Sequence, residues 1–326
     1  MRTILATGLS FAATAAMAQT PELTIYTYDS FVTDYGPGPV IEENFEATCG
    51  CDLTFEAFGD GAALLSRLRL EGDSTDADII LGLDTNLTAE AADTGLFAPH
   101  GIETPALDIP IPWTDPLFLP YDWGYFAFMG DASIEAPTSF RELADSDIQV
   151  VIEDPRSSTP GLGLVYWVEA AYGDEAPAIW EALADNILTV TPGWSEAYGL
   201  FTEGEADAAL SYNTSEAYHL VAEGDDTKVA WPFEEGHYMQ VEVAGKLAST
   251  DVPELADDFL AFMLTDGFQG PIPETNWMFP VVMPEGGLGE GWQSLVEPET
   301  ALLYSPEEAQ ARREEAIETW RTALSQ

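Results

Sequence analysis

Three apolar stretches near the start of the chain decide the fold: residues 23–28 (LTIYTY), 53–58 (LTFEAF) and 77–83 (ADIILGL). Their β-branched and aromatic residues predict three strands. Residues 40–47 and 61–68, which lie between these stretches, carry apolar positions at helical spacing. The order strand, helix, strand, helix, strand predicts a parallel sheet covered by helices, which is the α/β fold class.

A second series of strands and helices follows an aromatic-rich stretch at residues 118–128. We interpret that stretch as a crossing into a second lobe, and a strand predicted at residues 237–243 as the return. Further strands are predicted at 149–153 and 208–212, and helices at 160–172, 176–184, 215–223, 254–264 and 306–324. The chain is therefore predicted to form one lobe from residues 19–122 plus 240–326 and a second from residues 123–239, with a ligand cleft between the lobes.

Residues 1–18 have the pattern of a secretory signal peptide. Arg2 provides a positive start, residues 4–16 are apolar and small, and Ala16-Met17-Ala18 resembles a cleavage site. A transmembrane anchor is the alternative, but the apolar run is shorter than the roughly 20 residues that a bilayer requires. We expect cleavage after Ala18 and export of a soluble protein to the periplasm.

The chain is strongly acidic: 58 Asp and Glu against 10 Lys and Arg give a formal net charge of −48. Such a surface repels nucleic acid and anionic lipid and raises the local concentration of cations. A cationic ligand is one interpretation. Adaptation to a saline habitat is the other, and we favour it for a charge of this size.

The two cysteines form the pattern Cys49-Gly50-Cys51. Two thiols are too few for a four-thiolate metal site, and no basic residue nearby would depress a thiol pKa for redox chemistry. A disulfide and a pair of half-buried thiols both remain open, and neither is assigned a function.

The sequence contains no motif of a catalytic site. Residues 193–197 (GWSEA) lack the last glycine of G-x-S-x-G, and the patterns S-x-x-K, H-E-x-x-H and G-x-x-x-x-G-K-[ST] are absent. His100, His219 and His237 are far apart and share no helical face. We therefore predict no catalytic residue, no metal site, no cofactor and no enzymatic activity.

Aromatic residues occupy loops and helix starts, where ligands bind at the carboxyl ends of parallel strands. They are Tyr28, Tyr35, Trp194, Tyr212, Tyr218 and Trp277. Any one of them alone is more often part of a core. Together they predict a cleft that binds flat rings by stacking and binds cationic rings more strongly.

The turn at residues 154–163 follows a predicted strand and opens a helix. Its free N–H groups, the hydroxyls of Ser158 and Thr159 and the guanidinium of Arg156 are suited to hold a phosphate. The alternative is that Ser158 or Thr159 only caps the helix. Asp60 is likewise expected to cap a helix.

The sequence resembles the bacterial periplasmic thiamine-binding proteins, within a wider group that includes ferric-ion and polyamine receptors. The similarity extends over almost the whole mature chain. The matching segments are residues 26–31 (YTYDSF), 36–39 (GPGP), 77–78 (AD), 81–84 (LGLD), 154–163 (DPRSSTPGLG), 193–201 (GWSEAYGLF), 235–238 (EGHY) and 276–278 (NWM).

The resemblance implies a two-lobed, type II periplasmic-binding-protein fold, each lobe a mixed, mainly parallel sheet flanked by helices. It implies a receptor that captures thiamine, thiamine monophosphate or thiamine diphosphate for an inner-membrane ABC permease with its ATPase. We expect a monomer. The pyrimidine would be sandwiched between Tyr218 and Trp277. Other matches to the family's pocket positions are Tyr28, Asp60, Gly61, Ser158, Trp194 and Tyr212.

Two positions depart from the family pattern. Tyr35 replaces an expected tryptophan. The tyrosine keeps a stacking face and adds a hydroxyl, which would change the preference among phosphorylated forms. Glu216 stands where relatives often have proline. Its charge suits either water or the cationic ligand, and we expect it to face water at the start of a helix.

Two alternative functions follow from the same residues. The first is a receptor for ferric iron or a polyamine, with Tyr212 and Tyr218 as candidate iron ligands. Trp194 and Trp277 count against iron, since a hard ion gains nothing from indole. The second is a secreted thiamine-processing enzyme, which would need a nucleophile in the cleft.

Overall fold

The computed structural model describes residues 20–325, so the predicted signal peptide and its cleavage after Ala18 lie outside the described residues. The strands are β1 Glu22–Thr27, β2 Asp52–Ala57, β3 Ile79–Asp84, β4 Phe118–Asp131, β5 Val150–Glu153, β6 Ile187–Thr191, β7 Ala208–Tyr212, β8 Lys228–Ala230, β9 His237–Lys246, β10 Phe279–Pro280 and β11 Ala301–Leu302. The helices are α1 Gly38–Cys49, α2 Gly61–Glu71, α3 Thr88–Asp93, α4 Phe140–Ala144, α5 Thr159–Tyr172, α6 Ala176–Leu183, α7 Trp194–Thr202, α8 Ser215–Ala217, α9 Pro253–Phe262, α10 Asp266–Gln269 and α11 Pro306–Leu324. No helix among the described residues combines the length and the apolar composition needed to cross a membrane.

The main path of strands runs in the order β2-β1-β3-β9-β4-β7-β5-β6. β1 pairs in parallel with β2 and β3, and β5 pairs in parallel with β6 and β7. The predicted α/β class and parallel pairing are therefore confirmed. Helices connect the parallel strands because such strands cannot be joined by a tight turn.

The centre of the sheet is antiparallel. β4 pairs with β9 through residues 118–125 and with β7 through residues 126–130, so one strand joins the two parallel halves. β9 also pairs with β3, and all ten of its residues are buried. Polar side chains in β9 consequently lie inside the protein, where each needs a hydrogen-bond partner.

Two apolar clusters form the main core. One packs α1 and α9 against β1, β2 and β3, with Phe45 and Phe259 in an edge-to-face contact at 5.1 Å between ring centroids. The other surrounds α5, where Trp167 is fully buried and donates its indole N–H to the carbonyl of Gly236 at 2.8 Å. The helices that cover the sheet thereby fix the loops at its edge.

Helix α11 begins at a capping box, in which Ser305 Oγ accepts a bond from the N–H of Glu308. It contacts α5, where Tyr166 Oη donates to the carbonyl of Ala309 at 2.6 Å. It also contacts α3, through a bond from Gln310 Nε2 to Asp93 Oδ2 at 2.8 Å. The helix thus lies against parts of both predicted lobes, and the boundaries of the lobes stay a prediction.

Candidate functional site

A cavity of about 380 Å³ lies where three parts of the chain meet. Its lining residues are Tyr28, Ser30, Tyr35, Asp60, Thr159, Pro160, Trp194, Ser195, Tyr198, Gly199, Thr202, Tyr212, Ser215, Tyr218, Glu242, Thr275, Asn276, Trp277 and Met278. The structure thus brings together all the predicted site residues except Gly61 and Ser158. The lining residues come from both predicted lobes, and the volume of the cavity is typical of a small-molecule site.

Tyr28 follows β1 and packs its ring on Gly82 of β3. A Cβ at Gly82 would lie 2.2 Å from Cδ1 of Tyr28, and Gly82 has a φ of +106°, so only glycine suits this position. The Tyr28 hydroxyl donates to Glu242 Oε2 at 3.0 Å and accepts from Asn276 Nδ2 at 3.0 Å. Tyr28 is therefore held firmly at the cavity floor.

Asp60 precedes α2, but its side chain does not cap that helix, so the predicted capping bond is wrong. Asp60 Oδ2 instead accepts a bond from the backbone N–H of Trp194, at the start of α7, at 3.0 Å. Burial raises the pKa of Asp60 to about 6, although bonds from Ser158 and Trp194 partly oppose the shift. The carboxyl lies at the cavity with a stabilising donor from the opposite wall.

Gly61 is the first residue of α2 and lies beside the cavity rather than in its lining. A Cβ there would come within 2.4 Å of the Gly82 carbonyl oxygen and 2.9 Å of Thr159 Cγ2. The glycine therefore lets the start of α2 approach both β3 and the start of α5. A direct contact between Gly61 and a ligand stays a prediction.

Ser158 is the N-cap of α5: its hydroxyl accepts from the N–H of Gly161 at 3.3 Å, and the residue is fully buried. The capping alternative is thus confirmed for Ser158. Thr159 lines the cavity. Arg156 does not line it, because its guanidinium pairs with Asp154, with Nε 2.8 Å from Oδ1. The donors available to an anion in the cavity are therefore hydroxyls and helix N–H groups rather than this guanidinium.

Trp194 and Tyr198 form a stacked pair on α7, with ring centroids 4.8 Å apart and planes at 20°. The Trp194 indole N–H donates to Ser211 Oγ at 2.8 Å. Across the cavity, the Tyr212 hydroxyl accepts from Gln240 Nε2 at 3.0 Å. Burial, reinforced by Glu242, raises the pKa of Tyr212 well above its ordinary value, so the phenol keeps its proton.

Tyr218 and Trp277 face each other at the cavity. Their ring centroids are 5.5 Å apart and their planes meet at 67°. A ring stacked between two parallel rings, at about 3.5 Å from each, holds those two rings about 7 Å apart. The rings of Tyr218 and Trp277 must therefore rotate and move apart to sandwich a third ring. The predicted sandwich stays a prediction. Tyr35 lies at the cavity with 68% of its surface exposed.

Trp277 and Tyr218 both occupy unusual backbone. Trp277 ends a π-helical turn, Ile272–Asn276, and has a φ of +56°, alone among non-glycine residues in the described part of the chain. Tyr218 begins a second π-helical turn, Tyr218–Glu223, where one regular helix was predicted. This turn brings Glu223 to the Tyr218 hydroxyl, which donates to Oε1 at 2.9 Å. π-Helical turns are common at functional sites.

Glu242 is the charged residue among several cavity residues that sequence reasoning missed, which also include Ser195, Tyr198 and Asn276. It lies in β9, within the sequence HYMQVEVAGK, and is 6% exposed. Alternation in that stretch predicts a strand with a solvated face, which gives no sign of a carboxylate facing a buried site. The only available signal was the strand's predicted place between the lobes.

Glu216 is buried rather than facing water, so that expectation is wrong. Its Oε2 accepts from the N–H of Ala230 at 3.0 Å. Burial raises the pKa of Glu216. The side chain thus satisfies the backbone of β8 instead of extending into solvent.

His219, Glu223 and Asp225 form a group whose possible metal-ligand atoms lie within 4.8 Å of one another. Both ring nitrogens of His219 already have partners: Nδ1 contacts Glu223 Oε2 at 2.7 Å and Nε2 contacts the Tyr198 hydroxyl at 2.8 Å. We assign no metal to this group. The cysteines form a Cys49–Cys51 disulfide at the end of α1, and neither residue lines the cavity.

The fold and the cavity together define a class of protein. Parallel half-sheets joined through antiparallel central strands, with a cavity lined from both halves, match the fold of the type II periplasmic solute-binding proteins. A family model described as "Bacterial extracellular solute-binding protein" matches residues 38–272.

Individual relatives narrow that class. The "Thiamine-binding periplasmic protein" of Escherichia coli (strain K12) is 49% identical over 316 residues, which cover 96% of each chain. The protein of the same name from Brucella abortus biovar 1 is 50% identical over 317 residues, 96% of this chain and 95% of the relative. A solved "Periplasmic thiamin binding protein" is 48% identical and superposes with a TM-score of 0.92, covering 95% of this chain and 98% of that chain. The chain belongs to the family of bacterial periplasmic thiamine-binding proteins.

Proposed function

We propose that this protein captures thiamine and its mono- and diphosphate in the cavity and delivers them, chemically unchanged, to an ABC importer. One observation supports the proposal most: the cavity lining, as formed by residues 20–325, combines aromatic rings with the carboxyl groups of Asp60 and Glu242 and contains no Lys, Arg or His. Thiamine is a flat aminopyrimidine joined to a cationic thiazolium. Aromatic faces and negative charge suit both halves of that molecule.

The aromatic residues account for only part of the affinity that a receptor needs. Nanomolar binding corresponds to about −12 kcal/mol, whereas one aromatic or cation–π contact contributes about 0.5–2 kcal/mol. Stacking by Tyr218 and Trp277, a cation–π contact and charge-assisted hydrogen bonds must therefore act together. Tyr28, Trp194 and Tyr212 are positioned to contribute further contacts.

The phosphorylated forms require an anion site near the acidic floor. Thr159 and Ser195 lie in the first turns of α5 and α7 and line the cavity. Backbone N–H groups at helix starts bind phosphate without a basic side chain. The exposed hydroxyl of Tyr35 provides a further donor at the mouth, where it would change the preference among the three forms.

Binding is proposed to act through closure of the two lobes about residues 118–128 and 237–243. The bond from the Trp194 N–H to Asp60 and the bond from the Ala63 N–H to the Ser157 carbonyl, at 2.9 Å, join the two predicted lobes. We propose that the signal peptide is cleaved after Ala18 and that the mature protein is a monomer in the periplasm. The closed form of the protein then docks on an inner-membrane permease that carries an ATPase.

The alternative functions have less support. Iron binding requires tyrosinates, yet the hydroxyl of Tyr218 donates to Glu223 and burial raises the pKa of both Tyr212 and Tyr218. A thiamine-processing enzyme requires a free nucleophile, and Cys49 and Cys51 are joined to each other. The receptor therefore remains the function that we propose.

Tryptophan fluorescence titration with thiamine, thiamine monophosphate and thiamine diphosphate tests the proposal. We expect a saturable change with submicromolar Kd for at least one form, and recovery of the ligand unaltered after incubation. Ferric citrate and spermidine serve as parallel titrants. No response to any thiamine form, or a tyrosinate charge-transfer band with iron, would contradict it.

A further inference from the structure

The Glu242 carboxylate is surrounded by hydrogen-bond donors. Oε2 accepts from the hydroxyls of Tyr28, at 3.0 Å, and Tyr121, while Oε1 accepts from Gln240 Nε2 at 3.3 Å. Burial raises the pKa of Glu242, and the bonds from Tyr121, Tyr28 and Gln240 oppose that rise and fix the orientation of the carboxylate.

Asp122 holds the proton of this acidic pair. It lies directly opposite Glu242 in the pairing of β4 with β9 and is fully buried. Burial first, and then Glu242, raise the pKa of Asp122 well above its ordinary value. Asn276 Nδ2 donates to Asp122 Oδ2 at 2.6 Å and so orients the carboxyl. Two close buried carboxyls cannot both ionise readily, so one negative charge remains, on Glu242.

The phenol groups around Glu242 cannot take over that charge. Burial, reinforced by Glu242, raises the pKa of Tyr28 and of Tyr121 well above the ordinary value, so both phenols stay protonated donors. No lining residue of the cavity is Lys, Arg or His. The negative charge at the floor is therefore stabilised by dipoles without being neutralised.

We propose that Glu242 is the fixed counter-charge through which the cavity selects a permanently cationic ring over a neutral ring of the same shape. This inference rests on the proposed thiamine-binding function and adds the determinant of charge specificity. The oxygens of Glu242 already accept bonds from Tyr28, Tyr121 and Gln240, so the carboxylate acts by charge rather than by a hydrogen bond to the ligand. In a poorly solvated cavity such an interaction is much less screened than in water.

The experiment compares thiamine with a neutral isostere in which carbon replaces the thiazolium nitrogen, using isothermal titration calorimetry. Wild-type protein should prefer thiamine by at least about tenfold, from the attraction between unlike charges a few ångströms apart. In Glu242→Gln the Kd for thiamine should rise at least about tenfold, whereas the Kd for the isostere should change less than about threefold.

Glu43→Gln is the matched control. Glu43 is an exposed carboxylate on α1 and does not line the cavity. Its removal deletes the same charge from a solvated position and should change both Kd values less than about twofold, because solvent and salt screen exposed charges. A loss in Glu43→Gln equal to that in Glu242→Gln would overturn the proposal.

Two further outcomes separate this inference from the proposed function. If wild-type protein binds thiamine and the neutral isostere equally, or if Glu242→Gln weakens both equally, charge selection by Glu242 is wrong while thiamine binding stands. If wild-type protein binds neither compound, the proposed function itself fails. The wild-type comparison decides the inference even if Glu242→Gln does not fold, which circular dichroism and thermal melting will show.

Discussion

The carboxylate of Asp60 and the backbone N–H of Trp194 are joined by a hydrogen bond of 3.0 Å, although 134 residues separate them in the sequence. The bond connects the start of α2 to the start of α7 beside the cavity. A second bond, from the Ala63 N–H to the Ser157 carbonyl, connects α2 to the turn before α5. These contacts make the start of α2 one wall of the site.

Thiamine binding is expected to depend on pH through Asp60. Its pKa is about 6 in the folded protein against an ordinary value of 3.8. A bound cation favours the ionised carboxyl, so affinity should increase as the pH rises from 5 to 7. The increase is up to about tenfold for each unit by which the bound ligand lowers the pKa of Asp60. Calorimetric titration at several pH values measures this dependence.

Asp60→Asn is the control for that measurement, since it removes the titrating group but leaves the pyrimidine's own protonation in place. The pH dependence should be flatter in the variant than in the wild type, and identical curves would contradict the prediction. In the unliganded protein, the free energy of unfolding should instead decrease as the pH rises over this range. A raised carboxyl pKa contributes stability below pH 3.8, and this contribution is lost as the pH rises through about 6.

Trp277→Ala should weaken binding of all three thiamine forms. A tryptophan that a ligand buries on binding contributes about 2 kcal/mol or more, which corresponds to about 30-fold in Kd. Trp277→Gly is the companion variant, because the φ of +56° is strained for any residue with a Cβ. The glycine variant should lose the same affinity. Its free energy of unfolding should be about 1 kcal/mol higher than that of the alanine variant, so it should be the more stable of the two. Unchanged affinity in both would remove Trp277 from the site.

Ser158→Ala should weaken the phosphorylated forms selectively and leave thiamine itself within about threefold, because the hydroxyl shapes the α5 terminus where a phosphate would bind. Loss of the cap should also lower the free energy of unfolding by about 1 kcal/mol.

Ser305→Ala is the control for Ser158→Ala, as Ser305 caps α11 by the same bond to an N–H three residues later. It should lower stability similarly without changing any Kd. Equal weakening of thiamine and its phosphates in Ser158→Ala would mean that the effect is structural.

Salt should stabilise the protein. With a net charge of −48, repulsion between exposed carboxylates opposes folding, and ions screen that repulsion. The thermal midpoint should rise between about 0.1 and 1 M NaCl, where the screening length falls from about 10 to 3 Å. Equal midpoints would count against adaptation to a saline habitat. Potassium chloride at the same concentrations should reproduce the effect if it is due to screening.

Local patterns in the sequence determined the elements of this fold. The helix predicted at residues 306–324 and the strand predicted at residues 208–212 have the bounds found in the structure. Their signals are local: helical spacing of apolar residues for the first, and a short apolar run for the second. Six of the aromatic residues that line the cavity were predicted from their places in loops and at helix starts, whereas Tyr198, inside α7, was missed.

Only the tertiary structure decided what several acidic side chains do. Glu216 is buried because β8 passes over it, and Asp60 bonds to α7 rather than to its own helix. Glu242 acquires its donors from Tyr28 and Tyr121, which precede it by 214 and 121 residues. Helical and strand periodicity report only neighbours within one element. The charge state of a carboxyl depends instead on burial and on donors contributed by distant strands, and these exist only once the central sheet has formed.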